Sequence, residues 1–402
     1  MHIMTKPSHK IKIGLLPRII IAIALGIGLG FISPDWLSRS LATFNAVFSA
    51  FLGFIIPLLI IGFVAPAIAD IGRNAGKMLA VTALIAYLMT FGSGMLAYFT
   101  ADASFPSLIS ADAYILDEAS AKAPSPFFTI EIAPLMNVMT ALVLAFVLGL
   151  GVAFLNGRDS LRNGLEDFRL VIELVIRRVI IPLLPLYILG IFVSMTVSGQ
   201  VASVLSTFIK IILVIFALHI GLLVLQYCIA SLFSRRNPFR ALWTMMPAYF
   251  TALGTQSSAA TIPVTLRQTI AMGVNKDVAG FVVPLCATIH MSGSTLKIVA
   301  CALALMITHS MPYDTAMFAG FVAMLGITIV AAPGVPGGAI MASLGLLSSM
   351  LGFSEADTAL MIALYIAMDS FGTACNVTGD GAIAQIVERI FRRTLAKETP
   401  EA

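Results

Sequence analysis

Runs of about 20 apolar residues recur along this 402-residue chain, and nothing else in the sequence restricts its fold as strongly. In hydrocarbon every backbone N–H and C=O must find a partner inside the protein, so only helices and closed barrels span a bilayer. The runs are too long and too continuously apolar for barrel strands, which alternate along about ten residues. Composition agrees: 59% of residues are hydrophobic and 11% charged, with a mean hydropathy of +0.99, whereas a soluble domain is about one-quarter charged. The sequence therefore describes an all-α polytopic membrane protein of about eight transmembrane helices plus shorter, broken segments.

Several function classes recede at once. Cys228, Cys286, Cys301 and Cys375 sit singly inside apolar segments, without the paired spacing of a metal site or of a disulfide framework. The net charge of +4 is loop basicity, and no basic run is interleaved with aromatics as a nucleic-acid partner would require. Lys6, Lys10, Lys12 and Arg18 precede the first apolar run, which continues to residue 32 with no small-residue cleavage site and so reads as an uncleaved span.

In chain order, spans are expected at about 13–32, 42–69, 78–99, 127–155, 170–197 and 201–233. The fourth carries Pro134, where a break is expected, and Arg177 and Arg178 in the fifth should snorkel to the interface. The stretch 100–125 holds Asp102, Asp112, Asp117 and Glu118 against Lys122 and reads as an irregular external loop. With the N-terminus inside, Arg73, Lys77, Arg158, Arg162, Arg235, Arg236 and Arg240 are all internal, as the positive-inside rule requires. The expected location is a bacterial-type inner (plasma) membrane, with multiple passes and both termini cytoplasmic.

The last third is built differently. Residues 241–272 carry GTQSSAATIP between apolar arms, and 312–353 carry AAPGVPGG in the same manner. Each reads as a re-entrant helical hairpin, since non-helical backbone at membrane depth must be packed in protein or line a cavity. A span follows each, at 278–307 and 356–390, so the unit occurs twice, entering from opposite sides. Paired Gly/Pro-interrupted segments in an inverted repeat point to a transporter's binding site.

The final span holds MDSFGTACNVTGD, residues 368–380. Asp369, Thr373, Asn376 and Asp380 fall on one helical stripe, with the carboxylates roughly 16 Å apart along an unbroken helix. A shared-proton dyad is thereby disfavoured. Gly379 invites a kink that would free carbonyls beside Asp380, completing a set of hard oxygen ligands suited to an alkali cation. Helix starts at the tips expose N–H groups that attract carboxylates, so Ser257 and Ser258 in one tip and residues 335–339 in the other are placed to hold a solute's carboxylate. Asp369 is then left for an ammonium group.

QSSAATIPVTLR, PLCATIHMSGSTL, APGVPGG and NVTGD, in that order, resemble the signature segments of the dicarboxylate/amino acid:cation symporters, the glutamate transporter family. The resemblance implies a homotrimer in which a transport domain moves like an elevator against a fixed scaffold. Its parts would be 1–77 (scaffold helices 1 and 2), 78–100 (helix 3, mobile), 101–200 (external loop and scaffold helices 4 and 5) and 201–233 (helix 6, mobile). Hairpin 1 at 241–272, helix 7 at 276–308, hairpin 2 at 312–353 and helix 8 at 354–393 complete the mobile part, before a cytoplasmic tail at 394–402. The implied solute site comprises Gln256, Ser257, Ser258, Ser294, Lys297, Val335, Gly337, Asp369, Gly372, Thr373 and Asn376, with Asp369 on the substrate amine. One implied Na+ site uses Asp380 with carbonyls of Cys286, His290 and Asn376. A second uses backbone of Thr288 and of the second tip around Ile329 to Ala332.

Departures from the family pattern matter as much. The family's NMDGT stands here as HMSGS, which removes an asparagine side chain and a carboxylate from a third sodium site. Tyr87 and Thr90 match that site, Phe91 replaces a usual serine, and Ser292 takes the place of the lost carboxylate, so the third sodium is expected to be absent. Gly372 stands where acidic-amino-acid members carry an arginine, which by itself favours a neutral solute. Lys297 leaves three roles open: replacing that arginine, offsetting the missing cation, or pairing with a carboxylate such as Asp380. His290 is open between carrying a coupling proton and being a neutral, hydrogen-bonded core residue.

The expected function is uptake of a small amino acid or dicarboxylate driven by a cation gradient, Na+ with H+ as the alternative. The alternatives are a proton-coupled carrier using His290 or a symporter of neutral, Ser/Thr/Ala-type amino acids. An intramembrane aspartyl protease is disfavoured because Val377 occupies the first glycine of the GxGD pattern and the helix separates the acids. Expected partners are the solute, the lipid bilayer and two further copies of the chain, with no nucleic acid and no enzymatic activity.

Overall fold

The computed structural model describes residues 15–73, 77–109, 124–155, 159–199, 201–330 and 337–398. Among these residues all regular structure is helical. Val335 and Ala332, and most of the acidic loop, lie outside the described residues. The helices are α1 (Leu15–Ile32), α2 (Asp35–Arg73), α3 (Lys77–Leu108), α4 (Val138–Phe154) and α5 (Ser160–Val175), which runs through a π-helical turn, Ile176–Ile180, into α6 (Ile181–Val197). Then follow α7 (Val201–Ser234), α8 (Pro238–Thr255), α9 (Ser258–Ala271), α10 (Lys276–Ile289) and α11 (Ser292–Thr308). The chain ends with α12 (Thr315–Val330), α13 (Gly338–Leu351), α14 (Glu355–Ala367) and α15 (Asp369–Glu398).

Six of these stretches are long and apolar enough to cross a membrane, and α14 with α15 would make a seventh, bent by 62° at Met368. The chain is thus a multi-pass membrane protein. Large apolar side chains such as Leu25 and Phe31 on α1 and Leu84 and Leu88 on α3 stay exposed, as lipid-facing positions do.

Where helices end differs from the sequence expectation in four places, each for a local reason. Helix α3 continues to Leu108 instead of ending near 100, because Ala101 and Phe105 are buried and anchor the extra turns. Residues 124–137, Pro134 among them, are non-helical rather than part of a span from 127, and α4 begins after Asn137, whose side chain accepts from Thr140 N. The expected continuous span at 278–307 is interrupted at His290 and Met291, between α10 and α11. The final span bends at Met368, while the kink anticipated at Gly379 is absent and α15 runs through it. Gly379 serves close packing instead: a Cβ there would lie 2.5 Å from Gln226 Oε1 and 2.6 Å from His290 Cε1.

Two packing groups emerge. Helix α2 lies against α4, α5 and α6, and α1 against α6. Helix α15 is surrounded by α7, α8, α9, α10 and α11, and α3 packs on α11 and α12. Between the groups, α13 touches α2 and α4, while α14 touches α1 and α6. The α8–α9 and α12–α13 pairs each pack helix against helix; α8 and α9 both lie along α15, and the start of α13 meets it through Gly337 and Asp369.

Candidate functional site

The first turn is built from strain and capping. Gln256 closes α8 in the left-handed region (φ 53°, ψ 26°), a conformation that a non-glycine residue adopts at a cost of about 1–2 kcal/mol. Ser257 is then extended and caps α9, its side chain accepting from Ala260 N. The second turn ends at Gly337 (φ 78°), the N-cap of α13. Its N–H donates to Asp369 Oδ2 at 2.7 Å. A carboxylate at a helix N-terminus satisfies an orphan donor and complements the helix dipole.

Asp369 opens α15 immediately after the bend, and its other oxygen faces Lys297 Nζ at 3.3 Å. That ammonium also donates to Met368 O at 3.3 Å and lies 3.6 Å from the centre of the Tyr365 ring. Lys297 is fully buried. Of the three roles left open for it, the geometry shows pairing with a carboxylate, and the carboxylate is Asp369, not Asp380. Gly372 makes the space: a Cβ at this position would lie 2.5 Å from Lys297 Cε and 2.6 Å from Nζ.

One turn pair further along α15, Asn376 is turned to structural use. Its Oδ1 accepts from Gly293 N at 2.7 Å and Ser294 N at 3.3 Å, and its Nδ2 donates to Ser294 Oγ at 3.1 Å. Met291, the N-cap of α11, makes no side-chain cap, so an asparagine from another helix caps α11 in its place. Asp380 Oδ1 lies 2.9 Å from His290 Nδ1, both side chains being buried. Both carboxylates of the α15 stripe, Asp369 and Asp380, thus have a basic partner from the broken α10–α11 pair.

A cavity joins these parts. It is lined by Gln256, Ser257 and Ser258 where α8 passes into α9, Gly338 and Ala339 at the start of α13, and Asp369, Thr373 and Asn376 of α15. Thr288, Met291, Ser294 and Tyr365 complete its polar and aromatic wall. Asp369 is the one carboxylate among these lining residues. The Thr373 hydroxyl donates to Asp369 O and keeps its lone pairs for a ligand. Lys297 and Gly372 are behind this surface rather than on it.

The residues implied as cation ligands are distributed as follows. Cys286 and His290 end α10 beside Asp380, with the Cys286 carbonyl accepting from His290 N. The imidazole stands against Asp380 Oδ1, so a cation bound here would meet that oxygen in competition with the ring. Thr288 lines the cavity, and Ile329 is buried at the end of α12. Thr90 Oγ1 accepts from Met291 N, Ser93 Oγ donates to Ser292 O, and Tyr87 OH donates to Ala323 O. Those groups tie α3 to α11 and α12.

Sequence reasoning missed Tyr365, His219 and Gln226. His219 Nε2 meets Gly293 O at 3.1 Å, and Gln226 donates to Ser292 Oγ at 3.0 Å. The signal was present: two polar residues seven apart in an apolar span share one helix face.

A family model described as the sodium:dicarboxylate symporter family matches residues 15–390. Among curated relatives, the proteins named serine/threonine transporter SstT of Acinetobacter baumannii strains AYE, AB307-0294 and AB0057 are each 26% identical over 388 residues. The alignment covers 92% of this chain and 95% of each relative.

Proposed function

The chain belongs to the sodium:dicarboxylate symporter family, and from that premise we propose that it takes up a small carboxylate-bearing solute, an amino acid or a dicarboxylate, driven by a sodium gradient. One observation carries this reading: the starts of α9 and α13 and the polar face of α15 meet in a single cavity. Helix N-termini hold a carboxylate there through unpaired N–H groups and the helix dipole. The hydroxyls of Ser257, Ser258, Ser294 and Thr373 orient the rest of the solute.

The hairpins α8–α9 and α12–α13 are read as re-entrant, and α3 with α7–α15 as a body that slides against α1, α2 and α4–α6. The division of packing between the two groups supports this elevator reading. A homotrimer, cytoplasmic termini and placement in an inner membrane belong to the same proposal. Sodium is the coupling ion, with fewer sites than the family maximum. Support for the lower number comes from His290 on Asp380 and from Thr90 bonding to the α11 start.

The names of the relatives point to a solute of serine or threonine type, and Gly372 at the position of the missing arginine to one without a side-chain carboxylate; solutes with and without an amino group both enter the test. The test is uptake into proteoliposomes under an imposed inward sodium gradient, with amino acids, hydroxy acids and dicarboxylates as solutes. Accumulation that collapses when the gradient is dissipated supports the proposal. Accumulation of none of them refutes it.

A further inference from the structure

Asp369 is the one carboxylate lining the cavity, and its charge is already matched from within the chain. The Lys297 ammonium has three protons and three partners: Asp369 Oδ1, Met368 O and the face of Tyr365. Each proton is therefore accounted for. Burial is complete at Lys297, and its neighbours on α11, Leu296 and Ile298, are apolar and equally buried. A lysine in that setting is hard to unpair: moving Nζ off Asp369 would leave a buried ammonium without its counter-charge.

A solute ammonium entering the cavity would need a carboxylate of its own, and the lining offers Asp369 alone. It would have to displace Lys297, and the competition is unequal. Lys297 is tethered, so its effective concentration at Asp369 is on the order of millimolar or higher regardless of the solute outside. The space it fills was cleared for it by Gly372, where a Cβ would collide with both Cε and Nζ. The remaining carboxylate oxygen is held by Gly337 N, so closing the second turn on Asp369 already uses that side of the group.

We infer that Lys297 is the specificity-determining residue of the cavity: it stands in for a solute's ammonium, and the carrier selects small carboxylic acids that lack an amino group. Hydroxy acids fit the hydroxyl-rich wall of Ser257, Ser258, Ser294 and Thr373 best. This inference rests on the transport reading above and decides between the two solute types it leaves open. It runs against what the names of the relatives suggest, and the difference is confined to one side chain and the glycine that accommodates it.

The test uses matched solutes differing in the amino group: L-serine against glycerate, L-alanine against lactate, and L-aspartate against malate. Sodium-driven uptake is measured in proteoliposomes for the wild type, Lys297→Met and the charge-neutral double variant Lys297→Met/Asp369→Asn. In the wild type the deaminated member of each transported pair should be preferred by about tenfold or more. Lys297→Met leaves Asp369 uncompensated, so preference should swing to the amino member. The double variant, which buries no unpaired charge, should lose the preference in both directions and serves if the single variant does not fold. Equal or preferred wild-type uptake of the amino members overturns the inference while leaving transport intact. Preference for the deaminated members that persists in the double variant also overturns Lys297 as its source. Uptake of no solute by the wild type refutes the transport reading and this inference with it.

Discussion

Asp380 and His290 meet at 2.9 Å inside the protein, and the imidazole occupies one carboxylate oxygen that would otherwise face a cation. Replacing the ring by a shorter amide should return that oxygen. His290→Asn is therefore expected to increase sodium-specific thermal stabilisation over wild type, measured in NaCl against equimolar KCl, since a ligand that binds the folded state stabilises it by mass action. An unchanged sodium response would remove the imidazole as the obstacle. Gly372 makes a second residue-scale case. A Cβ at Gly372 would overlap the end of Lys297, which is enclosed on every side. Gly372→Ala should destabilise by about 1–3 kcal/mol, as overpacked cores do, and lower the apparent melting temperature. A variant as stable as wild type would mean that Lys297 has another place to go. From the sequence alone Gly372 reads as a missing charge. Its second meaning, room for Lys297, needs the rotational setting of α11 against α15, which spacing along one helix does not carry.

At the scale of elements, the break between α10 and α11 is held from outside itself. Met291 offers no capping side chain, and Asn376 of α15 supplies the acceptor for Gly293 N and Ser294 N. Asn376→Ala would leave buried donors without a partner, at a cost of about 1–3 kcal/mol. The expected outcome is loss of stability together with loss of solute binding, because Ser294 and Met291 line the cavity. Retention of both would show that the break forms without this cap. The same contact explains what was legible in advance. The Gly/Pro-interrupted turns and the polar stripe of α15 were readable because turn chemistry and helical periodicity are local. The interruption at His290 was not, since its cap lies more than eighty residues away in the chain. The 62° bend at Met368 carries no proline or glycine at the bend, only the helix-start signal of Asp369 directly after it. Capping also accounts for Asn137 and not Pro134 setting the start of α4.

For the whole molecule, the elevator proposal turns on the seam between the two packing groups. Helix α13 crosses that seam at Gly345, where a Cβ would lie 2.7 Å from Ile56 Cγ2 of α2 and 2.7 Å from Val138 Cγ2 of α4. Glycine here allows one group to sit against the other without interlocking side chains, a feature of helix contacts in membranes. Gly345→Val places branched carbons into that contact. The substitution is far from Asp369 in sequence and lies outside the cavity lining, so it acts on relative position rather than on solute contacts. An arrangement penalised by about 1–3 kcal/mol is depopulated, and a cycle that must pass through it slows by about tenfold or more. Solute-dependent thermal stabilisation in detergent should persist, because the cavity belongs to one packing group. Uptake in proteoliposomes should fall while binding is kept. If uptake is unaffected at equal incorporation, the seam does not move during transport; if binding and uptake are lost together, the two groups act as one body and the elevator proposal fails.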